Sequence, residues 1–318
     1  MSRPSDRDHT ARTGRRAADV IALFGPTGVG KTDVAIELAQ RLREFGERPV
    51  AVSADALQVY AGLETLTGAA DGSQRAALEH RLLSFLPVDA IFSAGQYAEL
   101  AHAEIDGVLA AGGRPIVVGG TGLYLRAALT ELNLRPPPAE GVRERWIAEL
   151  EARGAAALHA LLARRAPWAA AGIDPGDRQR IVRALELLDA GELEPPSGAS
   201  ELWTADTRHP TLLIGLVTER EALYRQIDAR VDAMLAAGAQ EEVRAARLAG
   251  ASDTARRALG FDELLAGDIE AMKRRTRNYA RRQLTWMRKL AGATVIDRTG
   301  RAADEVAREI SERWLASG

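Results

Sequence analysis

Short apolar runs recur along the chain, and longer stretches of mixed apolar and polar residues separate them. Each run is four to seven residues long. That length is typical of strands buried on both faces of a sheet. The pattern predicts strands at Val20–Phe24, Pro49–Ala54, Pro115–Val118, Thr211–Val217 and Ala293–Ile296.

Helical patterns lie between these runs. Lys31–Phe45 carries apolar residues at helical spacing, and Gly46 marks the end of the helix. Ser93 followed by Gln96 is the signature of a capping box, which predicts a helix to about Ala111. Because strands alternate with helices, the pattern predicts an α/β fold with a doubly wound parallel sheet. Ligands of such sheets bind at the carboxyl ends of the strands.

The middle of the chain breaks this alternation. From Gly141 to about Ala190 the sequence is rich in Ala and Arg, is helical in pattern and has no strand signal. Proline-rich segments at Pro136–Pro138 and Pro195–Ser197 read as linkers on either side. The sequence therefore predicts a disordered tail at 1–18, an α/β core at 19–137 and 198–318, and a small helical insertion at 138–197.

Composition narrows the class of protein. The chain has 318 residues, of which 46% are hydrophobic and 27% charged, and it contains no cysteine. No apolar run approaches the roughly 20 residues of a membrane span, and the polar N-terminus lacks the apolar centre of a secretory signal. We therefore expect a cytoplasmic globular protein that does not insert into membranes and uses neither disulfides nor thiolate chemistry.

The strongest chemical motif is GPTGVGKT at residues 25–32, between the first predicted strand and the first predicted helix. This is the pattern of a phosphate-binding loop (P-loop), in which backbone amides, a helix N-terminus and Lys31 face an anion. The Thr32 hydroxyl is suited to ligate Mg²⁺. The motif predicts a di- or triphosphate ligand and leaves the reaction open among kinases, NTPases and transferases.

The neighbouring strand ends reduce these alternatives. Ile116–Val118 is followed by GGTG, without the acid that motor-type NTPases place there. Asp55 is the nearest acid, directly after the second predicted strand. Gly25, Asp55 and Thr121 should share one rim of the sheet. Asp55 could also be only a turn residue, and Thr121 only a turn hydroxyl or helix cap.

Five segments together resemble one family. GPTGVGKT, SADALQVY, VGGTGLYL, DRQRIVRALE and NYARRQLTW, in this order and spacing, are similar to the tRNA dimethylallyltransferases, also called tRNA isopentenyltransferases. The likeness extends from about Val20 to the final helix. The P-loop alone is unspecific, and the other four segments carry the resemblance.

The resemblance implies a reaction. A dimethylallyl group would pass from its diphosphate to N6 of adenosine 37 in tRNAs that read codons beginning with U, giving N6-dimethylallyladenosine and diphosphate. Asp55 would be the general base, and Thr121 and Thr27 would orient the reacting groups or bond phosphate oxygens. Mg²⁺, with Thr32 as its protein ligand, would be the cofactor. The implied diphosphate-binding residues are Gly25, Thr27, Gly28, Val29, Gly30, Lys31 and Thr32.

The resemblance also implies contacts with a tRNA anticodon stem-loop by a monomeric enzyme. The implied tRNA-binding residues are Asp55, Ala56, Leu57, Gln58, Thr121, Arg143, Gln179, Arg180, Ile181, Val182, Arg183, Arg257, Arg277, Arg281 and Arg282. Within the insertion, Ile181, Leu185 and Leu188 form an apolar helix face, which leaves Arg180 and Arg183 on another side.

The net charge of −2 conceals a basic segment. Residues 272–290 contain eight Lys or Arg and no acidic residue. If this segment is helical, Ala280, Leu284 and Met287 face the core, while Tyr279 and Trp286 pack inward or lie beside RNA. Eight cations without an acid should repel one another unless a polyanion binds, which favours an RNA or diphosphate contact.

Several positions depart from the family pattern. Ala56 stands where the family commonly has Ser, Ser84 replaces an Asp, residues 62–70 lack the usual Gly-Thr-Ala-Lys order, and Phe261 replaces a Tyr. His80 has no metal-like partners and is interpreted as a packing or hydrogen-bonding residue. The alternatives that remain are an adenylate isopentenyltransferase, a small-molecule kinase and a non-catalytic RNA-binding module.

Overall fold

Six parallel strands form the centre of the protein in a computed structural model that describes residues 18–132, 134–135, 138–195 and 204–317. The strands are β1 (Val20–Phe24), β2 (Pro49–Ala54), β3 (His80–Arg81), β4 (Arg114–Gly119), β5 (Thr211–Val217) and β6 (Thr294–Asp297). Three of the five predicted strands have the predicted bounds. Of the other two, β4 is longer than predicted by one residue at each end and β6 is displaced by one residue, and β3 was not predicted.

The strand order is β3-β2-β4-β1-β5-β6, and every pair is parallel. The P-loop strand β1 lies between β4, where Ile21 pairs with Ile116, and β5, where Ile21 pairs with Leu212. All five residues of β1 are buried, as expected for a strand covered by helices on both faces. The predicted α/β fold with a parallel sheet is confirmed.

The helices follow the strands in the order expected of a doubly wound fold. They are α1 (Lys31–Glu44), α2 (Glu64–Thr67), α3 (Gly72–Ala77), α4 (Ala94–Ala110), α5 (Gly122–Leu129), α6 (Val142–Arg153), α7 (Ala155–Arg165), α8 (Pro167–Ala171), α9 (Arg178–Asp189), α10 (Arg220–Ala236), α11 (Ala239–Leu248), α12 (Phe261–Ala266), α13 (Ile269–Met287) and α14 (Ala303–Ala316). Within the described residues no helix is both long and apolar enough to cross a membrane.

The helix signals in the sequence have physical counterparts. The Ser93 hydroxyl accepts a hydrogen bond from the Gln96 amide (3.2 Å), and the Gln96 side chain accepts one from the Ser93 amide (3.0 Å). This capping box begins α4, as predicted. The first helix ends at Glu44, and Phe45 is its C-cap residue.

The chain divides into two compact units, one formed by 1–132 with 202–318 and the other by 133–201. The smaller unit contains α6 to α9 around its own apolar core, which includes Trp146, Leu158, Leu162, Ile181 and Leu185. Leu188 is partly buried against that core, so the predicted apolar face of α9 is confirmed.

Parts of the predicted tail and linkers lie outside the described residues, namely 1–17, Pro136–Pro137 and 196–197. Ala18, the last residue assigned to the tail, is buried instead. Its carbonyl accepts hydrogen bonds from the Arg114 side chain and from Trp314 Nε1, both at 2.9 Å. The core therefore begins at least one residue earlier than predicted.

Candidate active site

The P-loop connects β1 to α1 at the carboxyl end of the sheet. Gly30, the N-cap residue of α1, has a φ of 77°, a left-handed conformation that favours glycine. On the outer side of the loop, Arg298 Nη1 donates to Val29 O (2.5 Å) and Gly30 O (3.2 Å). Arg298 follows β6, the edge strand next to β5, so a residue from this edge of the sheet stabilises the loop.

Two further strand ends meet the P-loop. A Cβ atom at Gly119 would lie 2.2 Å from Ala54 O, so the ends of β4 and β2 approach as closely as glycine allows. This approach brings Asp55, which follows β2, to the same rim as the GGTG segment that follows β4. The predicted meeting of the three strand ends at one edge is therefore found.

A cavity of about 390 Å³ opens at this rim. Its polar lining includes Thr27, Gly28, Gly30, Lys31, Thr32, Asp33, Asp55, Gln58, Arg230, Thr276, Tyr279 and Gln283. Its apolar lining includes Leu57, Leu66, Ala69, Val118, Val231, Ala233, Met234, Ala237, Leu259 and Met272. The cavity thus combines an anion-binding motif with a wall suited to hydrocarbon.

Gly25 and Val29 do not line this cavity, although both were predicted to bind phosphate. The Val29 amide donates to Pro26 O at 3.2 Å within the loop, and the Val29 side chain is buried in the core. The Gly25 carbonyl accepts a hydrogen bond from Lys31 Nζ at 2.9 Å. Both residues therefore stabilise the conformation of the loop, and neither contributes to the cavity wall.

Two cations converge on the cavity. Lys31 Nζ donates to Gly25 O (2.9 Å) and Pro26 O (3.0 Å), and burial lowers its pKa to about 8. Repulsion from Arg230 lowers this pKa as well, and attraction to Asp55 opposes the change. Burial also lowers the pKa of Arg230, and its Nε atom is buried with no hydrogen-bond partner. Such a pair of adjacent cations is stabilised by a bound anion.

The lowered pKa of Lys31 leads to a prediction about pH. As the pH rises through about 8, the ammonium group loses its proton and the cavity loses a positive charge. We expect the affinity for inorganic diphosphate to fall roughly 10-fold between neutral pH and about pH 9, the loss of one charge-assisted hydrogen bond. Calorimetric titration measures this, and Lys31→Arg, which stays charged, should show no such fall. An equal fall in both proteins would contradict the assignment to Lys31.

Asp55 is a turn residue that also lines the cavity. Its Oδ1 atom accepts a hydrogen bond from the Leu57 amide at 3.0 Å, which fixes the turn after β2. Its carboxylate also lines the cavity, and its charge contributes to the pKa values of Lys31, Arg230 and Tyr279. A turn residue that is held rigidly beside a ligand cavity is well placed to act as a base.

Thr121 reaches the cavity only through a second residue. It is the N-cap residue of α5, but its side chain makes no capping hydrogen bond. Its hydroxyl instead pairs with the hydroxyl of Tyr279 at 3.1 Å. Tyr279 lines the cavity and Thr121 does not.

Gln283 joins the P-loop to the GGTG segment. Its Oε1 atom accepts a hydrogen bond from the Thr27 amide (2.8 Å), and its Nε2 atom donates to Gly120 O (2.7 Å). The sequence reading missed this residue and also Arg230. The sequence does contain one indication of Gln283: it is a polar residue at a core-facing position of α13, between buried Ala280 and Met287.

Comparison with known proteins decides the family. The sequence profile described as IPP transferase matches residues 58–290. The chain belongs to the IPP transferase family. The tRNA dimethylallyltransferase of Kineococcus radiotolerans is 41% identical over 288 residues, covering 87% of this chain and 90% of the relative. The one from Thermobifida fusca is 42% identical over 281 residues, covering 85% and 87%.

Solved structures of IPP transferases agree with the sequence matches. The tRNA isopentenylpyrophosphate transferase of Bacillus halodurans is 30% identical, with a TM-score of 0.67 over 94% of this chain and 98% of that one. A eukaryotic dimethylallyltransferase acting on tRNA, 24% identical, shares the fold with a TM-score of 0.71 over 93% and 79%. The family consists of prenyltransferases, and the matches support neither a kinase nor an adenylate isopentenyltransferase.

The basic helix α13 corrects one inference from the sequence. Acids from other helices pair with three of its cations: Lys273 with Asp232 (2.6 Å), Arg275 with Glu263 (2.7 Å) and Arg277 with Asp228 (2.6 Å). Repulsion among the eight cations therefore does not require a polyanion. The prediction considered only residues 272–290, and the acids that pair with these cations lie outside that segment.

The side chains predicted to bind tRNA on α13 differ in environment. Arg281 is exposed and donates to the Asn278 side chain, whereas exposed Arg282 lies over the Tyr279 ring at 5.4 Å. Ala280 and Met287 are buried as predicted, and Leu284 is partly buried against the core. Trp286 packs against Gly122, which is the inward alternative.

In the helical unit, two residues predicted to bind tRNA are core residues. Ile181 and Val182 have 0% and 6% of their surfaces exposed, so their side chains cannot reach RNA. Gln179 and Arg180 are exposed on the same helix. Buried Glu186 accepts two hydrogen bonds from Arg143 (2.9 and 3.0 Å) and one from Arg183 (3.1 Å), so it fixes both arginines.

The remaining predicted tRNA contacts lie in the larger unit. Leu57 and Gln58 line the cavity, whereas Ala56 does not. The Gln58 side chain is used within the fold, accepting from Ser53 Oγ at 3.2 Å and donating to Gly68 O at 3.2 Å. Arg257 ends a short 3₁₀ turn at Ala255–Arg257 and is exposed.

Two of the departures from the family pattern, Ser84 and Phe261, lie away from the cavity wall, whereas residues 65–69 of the stretch that departs after Tyr60 line it. Ser84 accepts a hydrogen bond from the Arg75 guanidinium at 3.2 Å, and Phe261 is fully buried. Neither residue lines the cavity. His80 Nδ1 is 2.6 Å from Leu78 O, which confirms that it is a hydrogen-bonding residue of β3.

Proposed function

We propose that the protein transfers the dimethylallyl group of dimethylallyl diphosphate to N6 of adenosine 37 in tRNA and releases diphosphate. The observation that carries this proposal is the single cavity in which Asp55, the P-loop, two cations and an apolar wall meet. The apolar wall suits the hydrocarbon tail that an allylic diphosphate carries next to its phosphates.

The donor would bind along this gradient of polarity. Its diphosphate would contact the P-loop, the N-terminus of α1, Lys31 and Arg230, where the local charge is positive. Its five-carbon tail would lie against the apolar lining, which includes Leu66, Leu259 and Met272. Burial of this tail contributes to affinity by the hydrophobic effect.

Mg²⁺ is the cofactor that we propose for the diphosphate. No group of three or more acids and histidines that could hold a metal ion occurs within the described residues. The donor set nevertheless fits, because Mg²⁺ on a diphosphate uses one or two protein ligands together with substrate oxygens and waters. The Thr32 hydroxyl would be such a ligand. A bound ion would neutralise part of the diphosphate charge.

The chemical step needs a base and a stabilised leaving group. The N6 lone pair of adenine forms a bond to C1 of the donor while the C1–oxygen bond breaks, and the electrons of that bond pass to the diphosphate. Asp55 accepts the proton that N6 loses, because delocalisation into the ring makes the neutral amine a weak nucleophile. Lys31, Arg230 and the loop amides stabilise the charge that grows on the leaving oxygen.

The target adenine must leave its stack to reach the cavity, as bases do in enzymes that modify them. Exposed cations of both units, including Arg180, Arg257, Arg281 and Arg282, would bind the anticodon stem-loop through its phosphates or by stacking. We expect a monomer in the cytoplasm, where unmodified tRNA is available.

Transfer of a labelled dimethylallyl group to different acceptors tests this proposal. We expect labelled product with an anticodon stem-loop that carries adenosines 36 to 38, and none with AMP. Preferential labelling of AMP would instead indicate an adenylate isopentenyltransferase. Phosphoryl transfer from ATP without use of the allylic donor would indicate a kinase, and binding of tRNA without turnover would indicate a non-catalytic module.

A further inference from the structure

The cavity lining that includes the P-loop and Asp55 also includes one tyrosine, Tyr279. Tyr279 lines the cavity on α13, one helical turn before Gln283, which bonds the P-loop amide of Thr27. Its own hydroxyl lies 3.1 Å from that of Thr121. The phenol is therefore close to the phosphate-binding loop, whereas Thr121 lies behind it.

The surroundings of Tyr279 keep its proton in place. Burial raises its pKa to about 12, and the negative charge of Asp55 acts in the same direction. At neutral pH the group is therefore a hydrogen-bond donor and does not compete with Asp55 as a base. The Arg282 guanidinium over the ring, at 5.4 Å, restrains its orientation.

We propose that Tyr279 is a catalytic residue, whose hydroxyl donates a hydrogen bond to the diphosphate oxygen that leaves C1 of the donor. The inference rests on the proposed prenyl transfer. In this arrangement the Thr121 hydroxyl donates to the Tyr279 oxygen. Thr121 is then a positioning residue that orients the Tyr279 hydroxyl. In this proposal Tyr279 makes the direct contact with the reacting groups that the family resemblance implied for Thr121, because Tyr279 lines the cavity and Thr121 does not.

The step balances without further reactants. The C1–oxygen bond breaks with its electrons moving to the diphosphate, while the N6–C1 bond forms and Asp55 takes the N6 proton. The Tyr279 proton is shared with the leaving oxygen through the hydrogen bond and stays on the phenol. The bond strengthens as charge develops on that oxygen, so it stabilises the transition state more than the bound donor.

The matched variants are Tyr279→Phe, which removes only the hydroxyl, and Tyr224→Phe, which removes a phenol that accepts from Arg220 (3.3 Å) outside the cavity lining. We expect Tyr279→Phe to lower kcat ~10- to 100-fold. The KM for the donor, the Kd for tRNA and the melting temperature should remain close to wild type. Tyr224→Phe should keep wild-type kcat.

A double variant tests the direct contact. If Thr121 acts through Tyr279, Thr121→Val combined with Tyr279→Phe should be no slower than Tyr279→Phe alone. Unchanged kcat in Tyr279→Phe would overturn the inference. A loss of kcat that is accompanied by a lower melting temperature would also overturn it. So would a double variant whose loss of kcat is the product of the two single losses. In each of these cases an active wild type leaves the proposed function standing. A wild type that transfers no dimethylallyl group would overturn the proposed function as well.

Discussion

Replacing Asp55 with Asn should reduce prenyl transfer to tRNA by ~10² to 10⁴-fold, the usual contribution of a general base. Asn keeps the side-chain oxygen that accepts from the Leu57 amide, so the turn after β2 should persist. The substitution removes the ability to take a proton, together with the negative charge of the carboxylate. Single-turnover kinetics with saturating donor and tRNA measure the chemical step separately from product release.

Binding measurements separate a lost base from a damaged site. In Asp55→Asn the Kd for tRNA should remain within a few-fold of wild type. Removal of a negative charge beside Lys31 and Arg230 should leave diphosphate binding equal or tighter. Asp89→Asn, at an exposed acid outside the cavity lining, should have wild-type turnover. A fully active Asp55→Asn enzyme would show that another group accepts the proton.

Replacing Arg230 with Met should weaken diphosphate binding by roughly 10- to 100-fold, or about 1.5–3 kcal/mol for charge-assisted hydrogen bonds. The Arg230 guanidinium donates to Thr67 O (3.3 Å), while its buried Nε atom has no partner. A bound diphosphate would supply acceptors for the remaining donors. The inhibition constant of inorganic diphosphate against the allylic donor measures the effect.

Stability distinguishes this role of Arg230 from a structural one. Arg230 is partly buried beside Lys31, so its removal relieves a repulsion, and the free energy of unfolding should stay equal or rise. Arg225→Met changes an exposed arginine on the same helix and should affect neither property. Unaltered diphosphate inhibition in Arg230→Met would remove Arg230 from the donor site.

Local sequence patterns predicted most of the sheet and the position of the candidate site. The P-loop is a contiguous motif, and Asp55 and the GGTG segment each follow a buried strand. The carboxyl ends of parallel strands lie at one edge of the sheet, so the sequence alone indicates that these three segments lie close together. β3 escaped prediction because two residues, His80 and Arg81, are too few to show a periodic pattern.

The residues that sequence reasoning missed depend on contacts distant along the chain. Gln283 meets Thr27 across 256 positions, and Tyr279 meets Thr121 across 158. Nothing in the local composition of α10 marks Arg230 as a residue of the cavity, since its neighbours include other arginines. Tertiary packing alone selects which cations face the cavity and which face water.

The basic segment in α13 is a second case in which contacts distant along the chain changed a prediction. Residues 272–290 contain no acid, yet Asp228, Asp232 and Glu263 pair with three of their cations in the fold. A run of cations in the sequence therefore does not show that each of them is available to RNA. Only the cations that are exposed and unpaired in the fold are candidates for RNA contact. Exposed Arg281 and Arg282 meet the exposure requirement.

The central claim is tested most directly by nucleoside mass spectrometry of unmodified tRNA incubated with the protein, dimethylallyl diphosphate and Mg²⁺. The account predicts one added dimethylallyl group on adenosine 37, absent when the donor is omitted and strongly reduced with Asp55→Asn. A tRNA that binds the protein but gains no mass at adenosine 37 would contradict it.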